Sequence, residues 1–248
     1  MQINRYPINI EGETVSIGTA NELAIALDVL QGQYDSQALS QLEPHLAEII
    51  ANPQGLMLAL RSLGKPDQIH LIQSIGKDLP RIVQSASKFR DQLATMAEQD
   101  VEELLLTTLG QSGLRQLIHT GRELAEVLEW VYGECDALLL DLLGETYVAH
   151  LCRHASDLSA ILFRLDAVLQ DRLIDQLGWP RITHLVRDGH DLAALVRALP
   201  PTASEKLLSH FSAAELKAII RNPQDWEYLY QRLEPAEAEF LMGWINRS

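Results

Sequence analysis

The chain has 248 residues, and its 34 acidic against 20 basic side chains leave a formal net charge of −14 at pH 7. Such a surface repels polyanions, so nucleic acid and anionic membrane surfaces are set aside as main ligands, and a basic protein or peptide partner fits best. With 47% apolar and 22% charged residues the chain can bury a core. No apolar run approaches the roughly 20 residues of a membrane span, and the opening MQINRYPINI lacks the basic and apolar blocks of a secretory signal. A cytoplasmic protein without membrane insertion is expected.

Residues 1–20 differ from the rest. Tyr6, Ile8 and Ile10 alternate with polar neighbours, Glu11-Gly12-Glu13 can turn, and Val15 and Ile17 alternate again. A period of two predicts a short β-hairpin, an N-terminal cap for the helical remainder of the chain.

From residue 21 the pattern repeats every 34 residues. One column holds Leu71, Leu105, Leu139, Leu173, Leu207 and Leu241, and the next holds Ile72, Leu106, Leu140, Ile174, Leu208 and Met242. Others run Ile75, Leu109, Leu143, Leu177, Phe211, Ile245 and Ile49, Val83, Leu117, Leu151, Leu185, Ile219. Asn52-Pro53-Gln54 returns as Asn222-Pro223-Gln224. Units start near Glu22, Gly55, Phe89, Glu123, Asp157, Asp191 and Asp225, about six and a half over residues 21–248. In the first unit Leu39 and Leu42 match Ile72 and Ile75 one residue short of the period.

Each unit reads as three short helices. In the copy that begins at Asp191 the first runs to about Leu199 and stops at Pro200-Pro201. The second runs from about Ala203 to Phe211, and the third follows the N-cap Ser212 and ends before Pro223, which pushes Asn222 out of helical conformation. Gly76, Gly110, Gly144 and Gly178 fall where second helices end, a place for left-handed dihedrals. Glu123, Asp157, Asp191 and Asp225 stand at first-helix starts, as N-caps or against the dipole. The fold class expected is all-α: a right-handed superhelical solenoid of 34-residue three-helix repeats with the hairpin as cap.

Tetratricopeptide repeats share the period and nothing more, since this unit puts Leu or Ile in its packed columns and breaks into three pieces. In kind the pattern resembles armadillo-like and HEAT-like solenoids, and the short-helix superhelices of bacterial flagellar switch proteins and magnesium-transporter cytosolic domains. The resemblance implies a stacked-helix fold and carries no functional residue with it.

Three groups of residues are candidates for function. His150 and His154 stand four apart on the third helix of one unit, and His184 and Asp188 occupy the same places one unit on. Stacking would bring the four together as zinc or other transition-metal ligands, whereas the bland reading is exposed polar positions opposite the apolar Val148, Leu151 and Cys152. Arg153, Arg187 and Arg221 continue a basic column begun by His119, four residues before the acidic one. They suit an acidic peptide or phosphate, or, the reading favoured, an internal ion-pair ladder beside helix C-termini. Trp179 and Tyr228 are the aromatic anchors for a partner, with Phe211, Trp226 and Tyr230 assigned to core columns.

No glycine-rich phosphate loop, GxSxG, HExxH or CxxC occurs, and Cys135 and Cys152 read as reduced, buried thiols. A non-enzymatic adaptor, scaffold or chaperone-like binder without cofactor is therefore expected, one that presents an acidic helical surface to a protein or peptide. The alternative is a metal sensor or metal-dependent enzyme built on the histidines.

Overall fold

A computed structural model describes residues 4–30, 32–94, 99–131, 133–221, 223–233 and 235–246, with the side chains of 232 and 244–246 left aside. The expectations at Asn222 and at the side chains of Trp244 and Ile245 lie outside these described residues. The chain opens on an antiparallel pair, β1 (Tyr6–Ile10) and β2 (Glu13–Ile17). The helices of the first half are α1 (Ala20–Leu30), α2 (Asp35–Leu42), α3 (Leu46–Ile49), α4 (Pro53–Arg61), α5 (Lys65–Ile75), α6 (Leu79–Val83), α7 (Ala86–Leu93) and α8 (Gln99–Leu117). Then come α9 (Gly121–Leu128), α10 (Glu134–Leu143), α11 (Glu145–Leu151), α12 (Ala155–Leu162), α13 (Ala167–Leu177) and α14 (Trp179–Leu185). The last are α15 (Gly189–Ala198), α16 (Pro201–Ser209), α17 (Ala213–Ile219), α18 (Pro223–Arg232) and α19 (Pro235–Asn246). Among the described residues no helix is long and apolar enough to cross a membrane.

These elements form two compact units, Met1–His119 with Trp130–Leu143, and Thr120–Glu129 with Gly144–Ser248. In the first, α1 packs on α4 and α4 on α7, while α2 packs on α5, α5 on α8, and β1 on α2. In the second, α9, α12, α15 and α18 pack each on the next. Small residues permit the close approach at their N-termini: a Cβ added to Gly121 would stand 2.5 Å from the Asp157 Cβ, and one at Gly189 2.9 Å from the Asp225 Cβ.

The apolar columns supply the cores. Leu71, Leu105, Leu139, Leu173, Leu207 and Leu241 are all buried, as are Ile49, Val83, Leu117, Leu151, Leu185 and Ile219. Gly110, Gly144 and Gly178 adopt positive φ of 57°, 79° and 72°, and Gly110 breaks α8 in two. Gly76 departs from the expectation. Its φ is −46°, because the chain there continues through a 3₁₀ turn, Gly76–Asp78, into α6, and the small residue serves packing, with an added Cβ only 3.1 Å from the Thr108 methyl.

The acidic residues at helix starts stand in first turns, against the dipole, and those of α9, α12 and α15 are not the N-caps. Glu123 and Asp157 are third residues of capping boxes, with Thr120 and His154 as N-caps, and Asp191 is likewise third in α15 behind the N-cap Asp188.

A feature not anticipated is polar. Gln68 Nε2 donates to the carbonyls of Leu60 and Leu63 at 2.7 and 3.2 Å, and Gln170 Nε2 to those of Leu162 and Leu165 at 2.7 and 3.1 Å. Ser204 Oγ does the same for Val196 and Leu199, at 3.0 and 3.4 Å. In each case the donor satisfies carbonyls where the preceding helix ends, groups with no intrahelical partner. Gln170→Leu is expected to cost about 1–2 kcal/mol in urea unfolding, because it removes the side-chain donor of the Leu165 carbonyl and leaves the Leu162 carbonyl only the Leu165 N–H, at 3.3 Å. A loss below about 0.5 kcal/mol would mean that water replaces the amide without penalty.

Candidate functional site

A concavity of the first unit lies between the hairpin and α1. In α1, Ala20, Leu23, Ala24 and Leu27 form the buried stripe, a helical spacing that turns them to the core. Ile25 and Val29 fall off that stripe and are 55% and 75% exposed. In the hairpin, Ile8, Ile10 and Ile17 point inward and are buried, while Val15, opposite Ile8 in the ladder, is 47% exposed. The result is a cleft of about 770 Å³ whose floor is isoleucine and whose walls are Val15, Ile25 and Val29.

Among the described residues its lining carries three carboxylates, Glu11, Glu13 and Glu22, and no Lys or Arg. Glu22 accepts from the Gly18 N–H at 2.8 Å and pairs with Arg5 at 2.6 Å. The Gly18 hydrogen bond, and then Arg5, hold its carboxyl below the usual range. Tyr34 donates its hydroxyl to Glu11, and that bond raises the phenol's pKa. Apolar walls under an acidic rim suit an amphipathic ligand carrying positive charge.

No family model, curated protein or solved structure matches the chain.

The histidine, arginine and aromatic candidates named from sequence, His119 apart, lie in the second unit. His150 is in α11, but that helix ends at Leu151, and Cys152 turns out of helical conformation with ψ 77°. His154 is the N-cap of α12, so the two histidines do not share a helix. His184 is in α14, and Asp188 caps α15, its Oδ1 accepting from the His190 and Asp191 N–H groups at 2.9 Å each. Among the described residues no three His, Cys, Asp or Glu side chains converge in an arrangement that could hold a metal ion.

Arg153 and Arg221 lie just past α11 and α17. Their guanidinium groups fold back toward last-turn carbonyls, Arg153 Nε to His150 O at 3.4 Å and Arg221 Nε to Ala218 O at 2.7 Å. The acidic column meets this column through backbone: Asp157, Asp191 and Asp225 accept the N–H of Arg153, Arg187 and Arg221 at 3.3, 3.1 and 2.9 Å. Burial pushes the Asp191 carboxyl up, with the Arg187 N–H opposing.

Trp179 is half-buried, stacked on His210 with centroids 5.3 Å apart and with Lys206 Nζ 5.4 Å from the ring centre. Tyr228, also half-buried, lies 3.9 Å from the His190 ring. Tyr230 is not a core residue: it is 52% exposed, because its neighbour Leu229 takes the inward position at 1%. Cys135 and Cys152 are buried thiols, each pushed up to about 12, chiefly by desolvation.

The cleft itself was not anticipated. Its only sequence signal is the pair Ile25 and Val29, apolar residues lying outside the spacing that buries the rest of α1.

Proposed function

We propose that this chain is a helical-repeat solenoid that binds protein, without catalysis, and that it takes a basic, partly apolar peptide segment in the hairpin–α1 cleft. The observation that carries the reading is the cleft itself: three exposed aliphatic side chains face one concavity beneath carboxylates, with no cation among the described lining residues. Isolated exposed apolar residues are ordinary, whereas a clustered patch with a charged rim is a recognition surface. Two further features favour the solenoid: the packing of α9, α12, α15 and α18 each on the next, and the recurrence of one carbonyl-capping side chain at Gln68, Gln170 and Ser204. Stacked short helices give such proteins an extended surface for partners.

The test is a titration of labelled peptides, one alternating valine and lysine and one alternating valine and glutamate, with fluorescence anisotropy as the readout. The lysine peptide is expected to bind, and its affinity to fall by about tenfold as salt rises from about 0.1 to 1 M and the screening length shrinks. Val29→Asp, at a solvent-exposed position that the fold tolerates, is expected to abolish binding. Equal affinity for the two peptides, or full binding by the Val29→Asp variant, would overturn the reading.

A further inference from the structure

The hairpin has two edges, and they are treated differently. Its turn is two residues, Glu11 and Gly12, both at positive φ of 53° and 87°, and Ile10 pairs with Glu13 to close it. A two-residue turn makes that closing pair hydrogen-bonded, so the pairs Asn9↔Thr14 and Pro7↔Ser16 aim their backbone groups outward, away from the partner strand. On β1 this outer edge is occupied. The Gln41 side-chain amide accepts from the Asn9 N–H at 2.8 Å and donates to the Asn9 carbonyl at 3.0 Å, and Gln37 Nε2 reaches the same carbonyl at 3.3 Å. Gln41 thus makes the two bonds that a neighbouring strand would make. Pro7, the other outward residue, has no N–H to offer.

On β2 the corresponding residues are Thr14 and Ser16, and among the described residues nothing bonds to their outward backbone N–H or C=O groups. Ser16 lines the cleft together with Val15 and the exposed Ile25 and Val29 of α1. An unpaired strand edge beside an apolar wall is the arrangement by which a sheet accepts an extended ligand strand.

We propose that the occupant of the cleft is an extended peptide that joins β2 as a third strand, bonding through alternate residues to the N–H and C=O groups of Thr14 and Ser16. This rests on the peptide-binding reading above. Alternation then does the sorting: one set of ligand side chains turns to the face that Glu13 shares with Val15, apolar where it meets Ile25 and Val29 and basic where it meets Glu13, and the other set stands on the outer face with Thr14 and Ser16. A second copy of the chain is a poorer occupant, since edge-to-edge pairing would bring two Glu13 carboxylates, and two chains each of charge −14, to one interface.

The experiment uses the full chain and the valine–lysine peptide, with amide exchange at Thr14 and Ser16 followed by NMR. Binding is expected to slow exchange at both amides at least tenfold. N-methylation of every second peptide amide in the register that faces β2 is expected to abolish binding, and in the other register to leave it unchanged. If the peptide binds, and Val29→Asp removes it, while the two amides exchange freely and both N-methylated peptides still bind, the strand is wrong and the peptide-binding reading stands. If no basic peptide binds, both fall. Protection of Thr14 and Ser16 without peptide, in a sample that light scattering finds dimeric, would assign the edge to a second copy and overturn the proposal.

Discussion

Phe89→Ala is expected to lower stability by about 3–5 kcal/mol, and to lower the midpoint of thermal unfolding by about 10 °C. Among the described residues Phe89 is the largest of the fully buried side chains, with no exposed surface. It lies in α7, which packs against α4 and α8 in the first unit. Truncation removes both its transfer energy and the contacts of the walls around it, and close-packed helices relax only partly into such a void. Phe89→Leu, which keeps most of the volume, is expected to recover more than half of the loss. Urea unfolding of the two variants checks both points, and a loss below about 1 kcal/mol for alanine would show that α7 collapses into the space.

Phe89 also marks where sequence and structure part by one residue. The 34-residue spacing places a unit start at Phe89, in line with Gly55 and Glu123, which stand third behind the N-caps Asn52 and Thr120. In α7 the N-cap is Ser85, its Oγ accepting from the Lys88 N–H, so Phe89 stands fourth. Periodicity averages over copies and carries no information about a local slip, whereas an N-cap is decided by one side chain. The apolar columns were legible for the opposite reason. Many residues repeat the same demand for burial, and the described side chains of all four columns are buried, apart from the half-buried Met242. The hairpin was legible from alternation alone, although Glu13, expected in the turn, pairs with Ile10 and opens β2.

The polar column was not legible. Asp35, Gln68, Glu102, Asp136, Gln170 and Ser204 each stand near the start of a helix, where a polar residue ordinarily means solvent or a cap. The structure instead leaves Gln68 and Gln170 half-buried and buries Asp35, Glu102, Asp136 and Ser204. For Gln68, Gln170 and Ser204 the end of the preceding helix, with carbonyls that lack an intrahelical donor, explains why a donor belongs there. The cleft was hidden in the same way. Ile25 and Val29 acquire meaning from a strand edge that the sequence shows only as alternating residues some ten positions away.

Asp35→Asn is expected to stabilise the protein at pH 7 by about 3 kcal/mol, the upper end for a buried polar group without partners, because this group is a carboxylate. Asp35 is 1% exposed, and neither of its side-chain oxygens has a hydrogen-bond partner among the described residues. Burial raises its pKa, the carboxylates of Asp67 and then Asp28 add to the shift, and the nearby Gly32 N–H opposes it. Asp67 itself is tied to α2 by the Ser36 hydroxyl, which donates to it. The sign follows from proton counts. Above the ordinary aspartate pKa of about 3.9 the unfolded chain has lost this proton while the folded chain still holds it, so stability falls as pH rises through the elevated folded value. Below about pH 4 both states are protonated and the penalty vanishes. Asparagine cannot ionise, and its amide resembles the donors at Gln68 and Gln170. The difference in thermal midpoint between variant and parent is therefore expected to be near zero at about pH 4 and to grow toward neutrality. Taking that difference cancels the contribution of carboxylates that do not interact with Asp35. A constant difference across the range would mean that Asp35 ionises as readily in the folded chain as in the unfolded one, and a less stable variant at every pH would mean that the carboxyl donates a hydrogen bond that asparagine cannot replace.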